Sequence, residues 1–339
     1  MNDIIVIGGG IAGISAAARL SHHGSVTLLE SEDDLAYHSS GRSAASFIVD
    51  YGNNSTRILN AASFDYLNNE NNGVLSNRGL LMLATEKQNV RFKSSYKLSG
   101  LSQISLNDAC KTIPIISRSK VSYAAYRSDV FDLDTNQLIQ NFLTEAKRNG
   151  ANIVKKSKVL QINYINSKWN IETDKNQFQC SIIVNAAGAW ADQISILAHL
   201  KPVGFKPYRR SMARIKMPDS MSISDWPFFS GPNEDWYAKP DAGQLIVSPE
   251  EEELVEPHDV WADDTTIAKG IARYEKYVTV PVTNVTSNWA GLRTFSADRS
   301  LVIGPDQNNP TFFYLAGQGG YGLQTAPASS NLLKELILG

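Results

Sequence analysis

Ile4-Ile5-Val6-Ile7-Gly8-Gly9-Gly10-Ile11-Ala12-Gly13, followed by Ser15-Ala16-Ala17-Ala18-Arg19-Leu20, decides how this chain is read. Four β-branched residues in a row predict a buried parallel strand. They run into Gly8-x-Gly10-x-x-Gly13 and then into a helix of small residues, the dinucleotide fingerprint in its strand–turn–helix context. Gly8 admits the turn, Gly10 lets backbone approach a pyrophosphate, and Gly13 lets helix and strand pack closely. Ile11 and Ala12 open the helix, whose unpaired N–H groups and positive dipole end suit phosphates. A second strand, Ser25 to Glu30, ends in an acid about twenty positions beyond Gly10, where a carboxylate suits ribose hydroxyls. The stretch implies an adenine dinucleotide. On these residues alone NAD and FAD both remain open.

Composition narrows the rest. The 339 residues carry 32 basic and 34 acidic side chains, net charge −2, which gives no basic patch for nucleic acid. Cys110 and Cys180 form no CxxC, and the five histidines show no metal-ligand spacing, so neither a disulfide framework nor a metal site is expected. The first strand begins too early for a signal peptide, and no run has the ~18 apolar residues of a membrane span. A soluble, cytoplasmic protein is the expectation.

Further elements follow from periodicity. Helices are predicted over 54–69, 105–112, 134–148 (capped by Asp134 and closed by Asn149-Gly150), 263–277 and the last residues through Ile337. Strands are predicted over 79–84, 123–126, 181–184, 301–304 and 312–317, and near 210–215, 236–238 and 245–247. Residues 152–180 alternate in short strands that read as one β-meander. Fingerprint-style segments recur far along the chain, so two domains must be interleaved.

Two of these segments favour FAD. Val184-Asn185-Ala186-Ala187-Gly188 is a strand ending in small residues that a doubly wound sheet can lay against adenosine. Gly317-Gln318-Gly319-Gly320-Tyr321-Gly322 sets a glycine run at a helix N-terminus, where N–H groups suit the anionic edge of a reduced isoalloxazine.

Together with these, Tyr37-His38-Ser39-Ser40-Gly41-Arg42-Ser43-Ala44-Ala45, Ala187-Gly188-Ala189-Trp190, Tyr237-Ala238-Lys239-Pro240-Asp241-Ala242-Gly243 and Trp289-Ala290-Gly291-Leu292-Arg293 carry a resemblance. The chain resembles the FAD-dependent amino-acid oxidoreductases of the D-amino acid oxidase superfamily, and more narrowly bacterial D-amino acid dehydrogenases of the D-arginine dehydrogenase type. The resemblance implies an α/β fold in which a Rossmann-like FAD-binding domain (1–50, 132–200 and 288–339) is interleaved with an α+β substrate domain on an antiparallel sheet (51–131 and 201–287). It implies oxidation of a D-amino acid by hydride transfer to the flavin, giving a 2-oxo acid and ammonia, with electrons passed to an acceptor such as a quinone.

Carried over residue by residue, the resemblance assigns cofactor contacts to Gly8, Gly10, Ile11, Ala12, Gly13, Glu30, Ser31, Ser40, Gly41, Arg42, Ser43, Ala44, Val159, Ala187, Gly188, Trp190, Gly291, Gly319, Gly320, Tyr321, Gly322 and Leu323. Arg293, also near the cofactor, matches the carboxylate-binding arginine; an ion pair with Asp298 is its bland alternative. Arg210 matches a second pocket arginine, with Arg209 beside it facing the other way. Tyr237 matches a tyrosine that shares the carboxylate, Tyr51 a tyrosine on a lid, and Gly320 and Gln324 the meeting point of flavin and substrate amine. Ser46 and Ile48 belong to the pocket, as do Leu80 and Phe228.

Two departures bear on the chemistry. Relatives often carry histidine where this chain has Ser46, and no neighbouring residue replaces it. Relatives that prefer cationic substrates carry a carboxylate where this chain has Leu80, so an apolar or neutral substrate side chain is expected. The alternatives are an oxygen-using D-amino acid or amine oxidase, or a flavin subunit of a multi-component dehydrogenase.

Overall fold

The computed structural model describes residues 3–339 and shows the expected α/β architecture. Ile4–Ile7 lies inside a six-stranded sheet, parallel to Val26–Leu29 on one side and to Ile182–Asn185 on the other. Phe312–Ala316 continues the parallel order, and Val302–Pro305 closes that edge antiparallel. Every residue of Ile4–Ile7 is buried, because both faces of the sheet are covered. Ile4 and Val6 pack with Ile14, Leu138, Phe142 and Leu333 from the helices Ile11–Leu20, Thr135–Arg148 and Gly322–Leu338. Ile5 and Ile7 face Trp169, Ile171 and Ile194 on the opposite side.

The helix Thr135–Arg148 shows how local sequence sets these elements. Asp134 accepts the Gln137 N–H at its start, Gly150 (φ +83°) follows its end, and Leu138, Ile139, Phe142, Leu143 and Ala146 form its buried stripe.

One expectation is corrected at the sheet's other edge. Ile153-Val154 does not belong to the meander: Asn152–Val154 runs parallel to Val26–Leu29 as the sixth strand. The meander proper is Val159–Ile165, Lys168–Thr173 and Gln177–Cys180. A strand that follows a helix and a glycine turn in an α/β unit returns parallel to its sheet, whatever its own alternation.

A nine-stranded sheet forms the other half of the molecule. It is antiparallel apart from one pair: Phe228–Ser230 lies parallel to Leu80–Ala84, with Phe228 opposite Leu80. Val285–Phe295, unread as a strand in the sequence, pairs antiparallel along nearly all of Lys206–Ile215. Position 288, where the FAD-binding segment was expected to resume, falls inside this strand. The helix Asn89–Leu98 was also unread; it has one buried residue, Phe92, and no apolar stripe to announce it. Among the described residues no helix is long and apolar enough to cross a membrane.

Candidate active site

Two connected hollows lie between the sheets. The smaller, about 140 Å³, is a crevice that starts at Gly10, Ile11 and Ala12, where the strand Ile4–Ile7 gives way to the helix Ile11–Leu20. Ser40, Arg42, Ser43 and Ala44 line it, as do Gly188, Gly291, Gly319 and Gly322. Beneath the crevice, Gly8 and Gly13 let the turn, the helix and the neighbouring strand end pack tightly. A Cβ on Gly13 would sit 1.8 Å from the Gly8 carbonyl oxygen, and one on Gly8, at φ +111°, would sit 2.5 Å from that of Ala186. Glu30 Oε2 accepts the Gly9 N–H at 2.6 Å, bracing the glycine turn from the end of the next strand. Ser40 Oγ accepts the Ile11 N–H at 2.9 Å. A pyrophosphate at this helix start fits the backbone and the dipole.

The larger hollow, about 390 Å³, shares Ser43, Ala44, Arg293, Gly320 and Leu323 with the crevice, so the two are continuous. Arg293 enters it on Val285–Phe295 and Tyr237 at the start of Tyr237–Asp241, while Arg210, on Lys206–Ile215, lines the adjoining crevice. Arg210 is 6 % exposed, and its Nε has no partner. Burial, then the nearby positive charge of Arg293, pulls the Arg210 pKa below its usual value. Gly320 is the residue that leaves room for Arg293, since a Cβ there would lie 3.0 Å from its Cζ. Asp298 does not pair with Arg293: its Oδ1 accepts from Ser296 and Ser300. Tyr237 stacks on Phe228 at 4.8 Å, and its buried hydroxyl has no partner; burial pushes its pKa up. Ser46 Oγ and Gln324 Nε2 are also buried and unpartnered beside this cavity. Buried polar atoms are normally paired, so this convergence points to a polar, anion-bearing ligand.

Ile48, Leu80, Met82 and Phe228 give the cavity an apolar stretch of lining. Tyr51 stands at the mouth, half exposed and edge-on to Tyr321 at 5.2 Å. Its segment is fastened at several points: Asn60 Nδ2 donates to the Ile48, Val49 and Tyr51 carbonyls, and Asp50 takes Arg127 through both oxygens at 2.9 Å.

Residues 3–336 match the family described as FAD dependent oxidoreductase. The chain belongs to that family. It is 23% identical over 400 residues to the cattle protein named FAD-dependent oxidoreductase domain-containing protein 1, covering 99% of this chain and 81% of that one. Its fold is similar to that of L-proline dehydrogenase from P. horikoshii (TM-score 0.83, 21% identity, 99% of this chain and 93% of that one). It is also similar to that of L-alpha-glycerophosphate oxidase from Mycoplasma pneumoniae, at TM-score 0.89 and 17% identity over 100% of this chain and 95% of that one. As a member of this family the chain is an FAD-dependent oxidoreductase, and the crevice fits that cofactor.

Not every expected FAD contact lies at the hollows. Val159 sits in the apolar layer beneath the parallel sheet, packed with Ile5 and Leu29. Ser31 Oγ donates to Glu30, Gly41 closes a turn on His38, and Trp190 packs against His38 at 4.6 Å. Ala187 backs onto Gly8. Arg42 lines the crevice, but its guanidinium is engaged by Asp259 and by the Tyr37, Val260 and Ala290 carbonyls. The sequence reading also missed several cavity residues, among them Asp50, Met82, Arg127, Glu234 and Glu250. Glu250 belongs to Glu250-Glu251-Glu252-Glu253, a run with the look of a solvated acidic patch, yet it lines the cavity beside Arg210.

Proposed function

We propose that this oxidoreductase acts on a D-amino acid with an apolar or neutral side chain, yielding a 2-oxo acid and ammonia. The observation that carries the reading is that Arg210 in the crevice, Arg293 in both hollows and Tyr237 in the cavity come together with Ile48, Leu80, Met82 and Phe228, which give the same cavity an apolar lining. A guanidinium fork with a neighbouring phenol suits an α-carboxylate, and it stays charged at any working pH. The apolar wall then receives the side chain, which fixes the α-carbon between the two and toward the crevice. Gln324, whose Oε1 accepts the Ile48 N–H at 3.3 Å, lines the same cavity with a buried, unpartnered amide nitrogen. FAD, when bound, supplies acceptance of a hydride from the substrate α-carbon. The D configuration and transfer of electrons to a non-oxygen acceptor such as a quinone rest on the resemblance to D-amino acid dehydrogenases.

The test is anaerobic bleaching of the FAD-loaded protein by D-leucine, D-arginine, L-leucine, L-proline and glycerol 3-phosphate in parallel. D-leucine is expected to bleach fastest. Faster bleaching by D-arginine would remove the argument from Leu80, and bleaching by glycerol 3-phosphate alone would mean that the two arginines serve a phosphate. Comparison of reoxidation by air and by a quinone separates oxidase from dehydrogenase.

A further inference from the structure

An α-amino acid arrives as an ammonium zwitterion, and its α-carbon gives up a hydride readily only once nitrogen has a lone pair. Some group must take that proton. Ser46 is no base, Gln324 is an amide, and no histidine lines the cavity. The cavity's carboxylates are Asp50, Glu234 and Glu250. Asp50 is held by Arg127, and Glu234 is exposed, as any surface carboxylate is. Glu250 differs from both.

Its side chain is 16 % exposed, and Oε1 lies 3.5 Å from Arg210 Nη1. Among the described residues no other donor bonds its carboxylate. Its backbone occupies φ +53°, a left-handed conformation unfavourable for glutamate. That conformation is held locally: the Glu250 N–H donates to Ser248 Oγ, which donates to the Ser211 carbonyl. Glu251 accepts the Ser211 N–H, Glu252 pairs with Arg299, and Glu253 pairs with Arg209. Glu234 shares that backbone angle, so what sets Glu250 apart is its burial and the fastening of the residues around it, which hold its carboxylate in the cavity lining.

We propose that Glu250 is the proton acceptor for the substrate's ammonium. In this step one ammonium N–H bond breaks and one O–H bond forms on Glu250. The ammonium becomes a neutral amine with its lone pair, and the carboxylate becomes a carboxylic acid. No electron leaves either partner, and the two-electron oxidation of the α-carbon follows as FAD chemistry. Glu250 then returns the proton to solvent. The inference rests on the amino-acid reading above.

The groups facing Glu250 set its readiness. Arg210 and Arg293 come from the paired long strands, Tyr237 from the strand that begins beside them, Glu234 and Asp235 from the loop before it, and Glu252 from its own segment. Burial pushes the Glu250 carboxyl up to about 7, against the opposing pull of the two arginines. A substrate carboxylate settling between those arginines adds a like charge nearby and favours protonation further.

The experiment is the pH dependence of kcat/KM with D-leucine for the FAD-loaded wild type, Glu250→Gln and Glu250→Asp. The carboxylate must be ionised to act, so wild-type activity should fall as pH drops through about 7. Glu250→Gln should lose about 10²-fold at neutral pH. Its limb should move toward the amine's own pKa, so that the gap closes at high pH. Glu250→Asp should keep a near-neutral limb. A second readout needs no turnover: calorimetry of 4-methylpentanoate binding in two buffers of different ionisation heat should show proton uptake by the wild type. Glu250→Gln should show none.

Superimposable pH profiles, or a change in KM with the limb unmoved, would make Glu250 only the counter-ion of Arg210 and overturn the proposal. Absence of proton uptake by the wild type would do the same, whether or not the variants fold. A wild type that no amino acid bleaches removes the amino-acid reading itself, and this proposal with it.

Discussion

The crevice and the cavity adjoin, share five residues and are built by opposite means. The crevice depends on backbone: glycines at 10, 188, 291, 319 and 322 line it beside the start of the helix Ile11–Leu20, and Gly8 and Gly13 let the turn beneath it pack closely. The cavity is made of side chains that converge from Tyr237–Asp241, Val285–Phe295, Leu80–Ala84, Phe228–Ser230 and the last helix. A site defined by missing Cβ atoms tolerates almost no substitution and discriminates little between substrates. A site defined by converging side chains can change its ligand one residue at a time.

The most severe test of this contrast is Gly13→Ala. The new Cβ would collide with the Gly8 carbonyl, so we expect loss of bound FAD and a melting temperature lowered by several degrees, read by visible absorbance and thermal denaturation. Survival of both would mean that the turn is more pliable than the packing shows. Next in size, Arg293→Ala should keep FAD, as judged by an unchanged flavin spectrum, but lose about 10²–10³-fold in kcat/KM for amino acids.

Gly320→Ala probes the seam between the two sites. By pressing on Arg293 Cζ at 3.0 Å it should raise KM about tenfold while FAD stays bound. The smallest effect expected is from Leu80→Glu, which should shift the D-arginine to D-leucine preference toward the cation by a few-fold. Arg127, directly across the strand pair from Leu80, would compete for the new carboxylate and hold the shift down. No shift at all would make Leu80 ordinary core.

The same contrast explains what the sequence disclosed. A backbone site needs glycines at set spacing along one short stretch, and Gly8 to Gly13 displays them openly. Ile153-Val154 misled because alternation reports which faces are buried and says nothing of which sheet a strand joins. Phe228 meets Leu80 only through a parallel pairing that no local pattern announces. Glu250 was least legible of all. Four glutamates in a row look alike, and their different fates depend on Arg210, Ser211, Arg299 and Arg209, brought up by a strand from elsewhere and by the bend after Val285–Phe295. The lesson is general to this fold: backbone sites are written locally, side-chain sites only in the assembled sheet.

The parallel pairing of Phe228–Ser230 with Leu80–Ala84 also has a bearing on how the molecule comes into being. Strands that meet across the whole stretch 85–227 close a long loop, and such closures are slow. The parallel sheet imposes a second delay, because Ile182–Asn185 has no neighbour on its far side until Phe312–Ala316 has been synthesised. The fingerprint helix Ile11–Leu20 is therefore synthesised some three hundred residues ahead of Arg293, Gly320 and Gln324, and the cavity can be walled in only after those later segments join it.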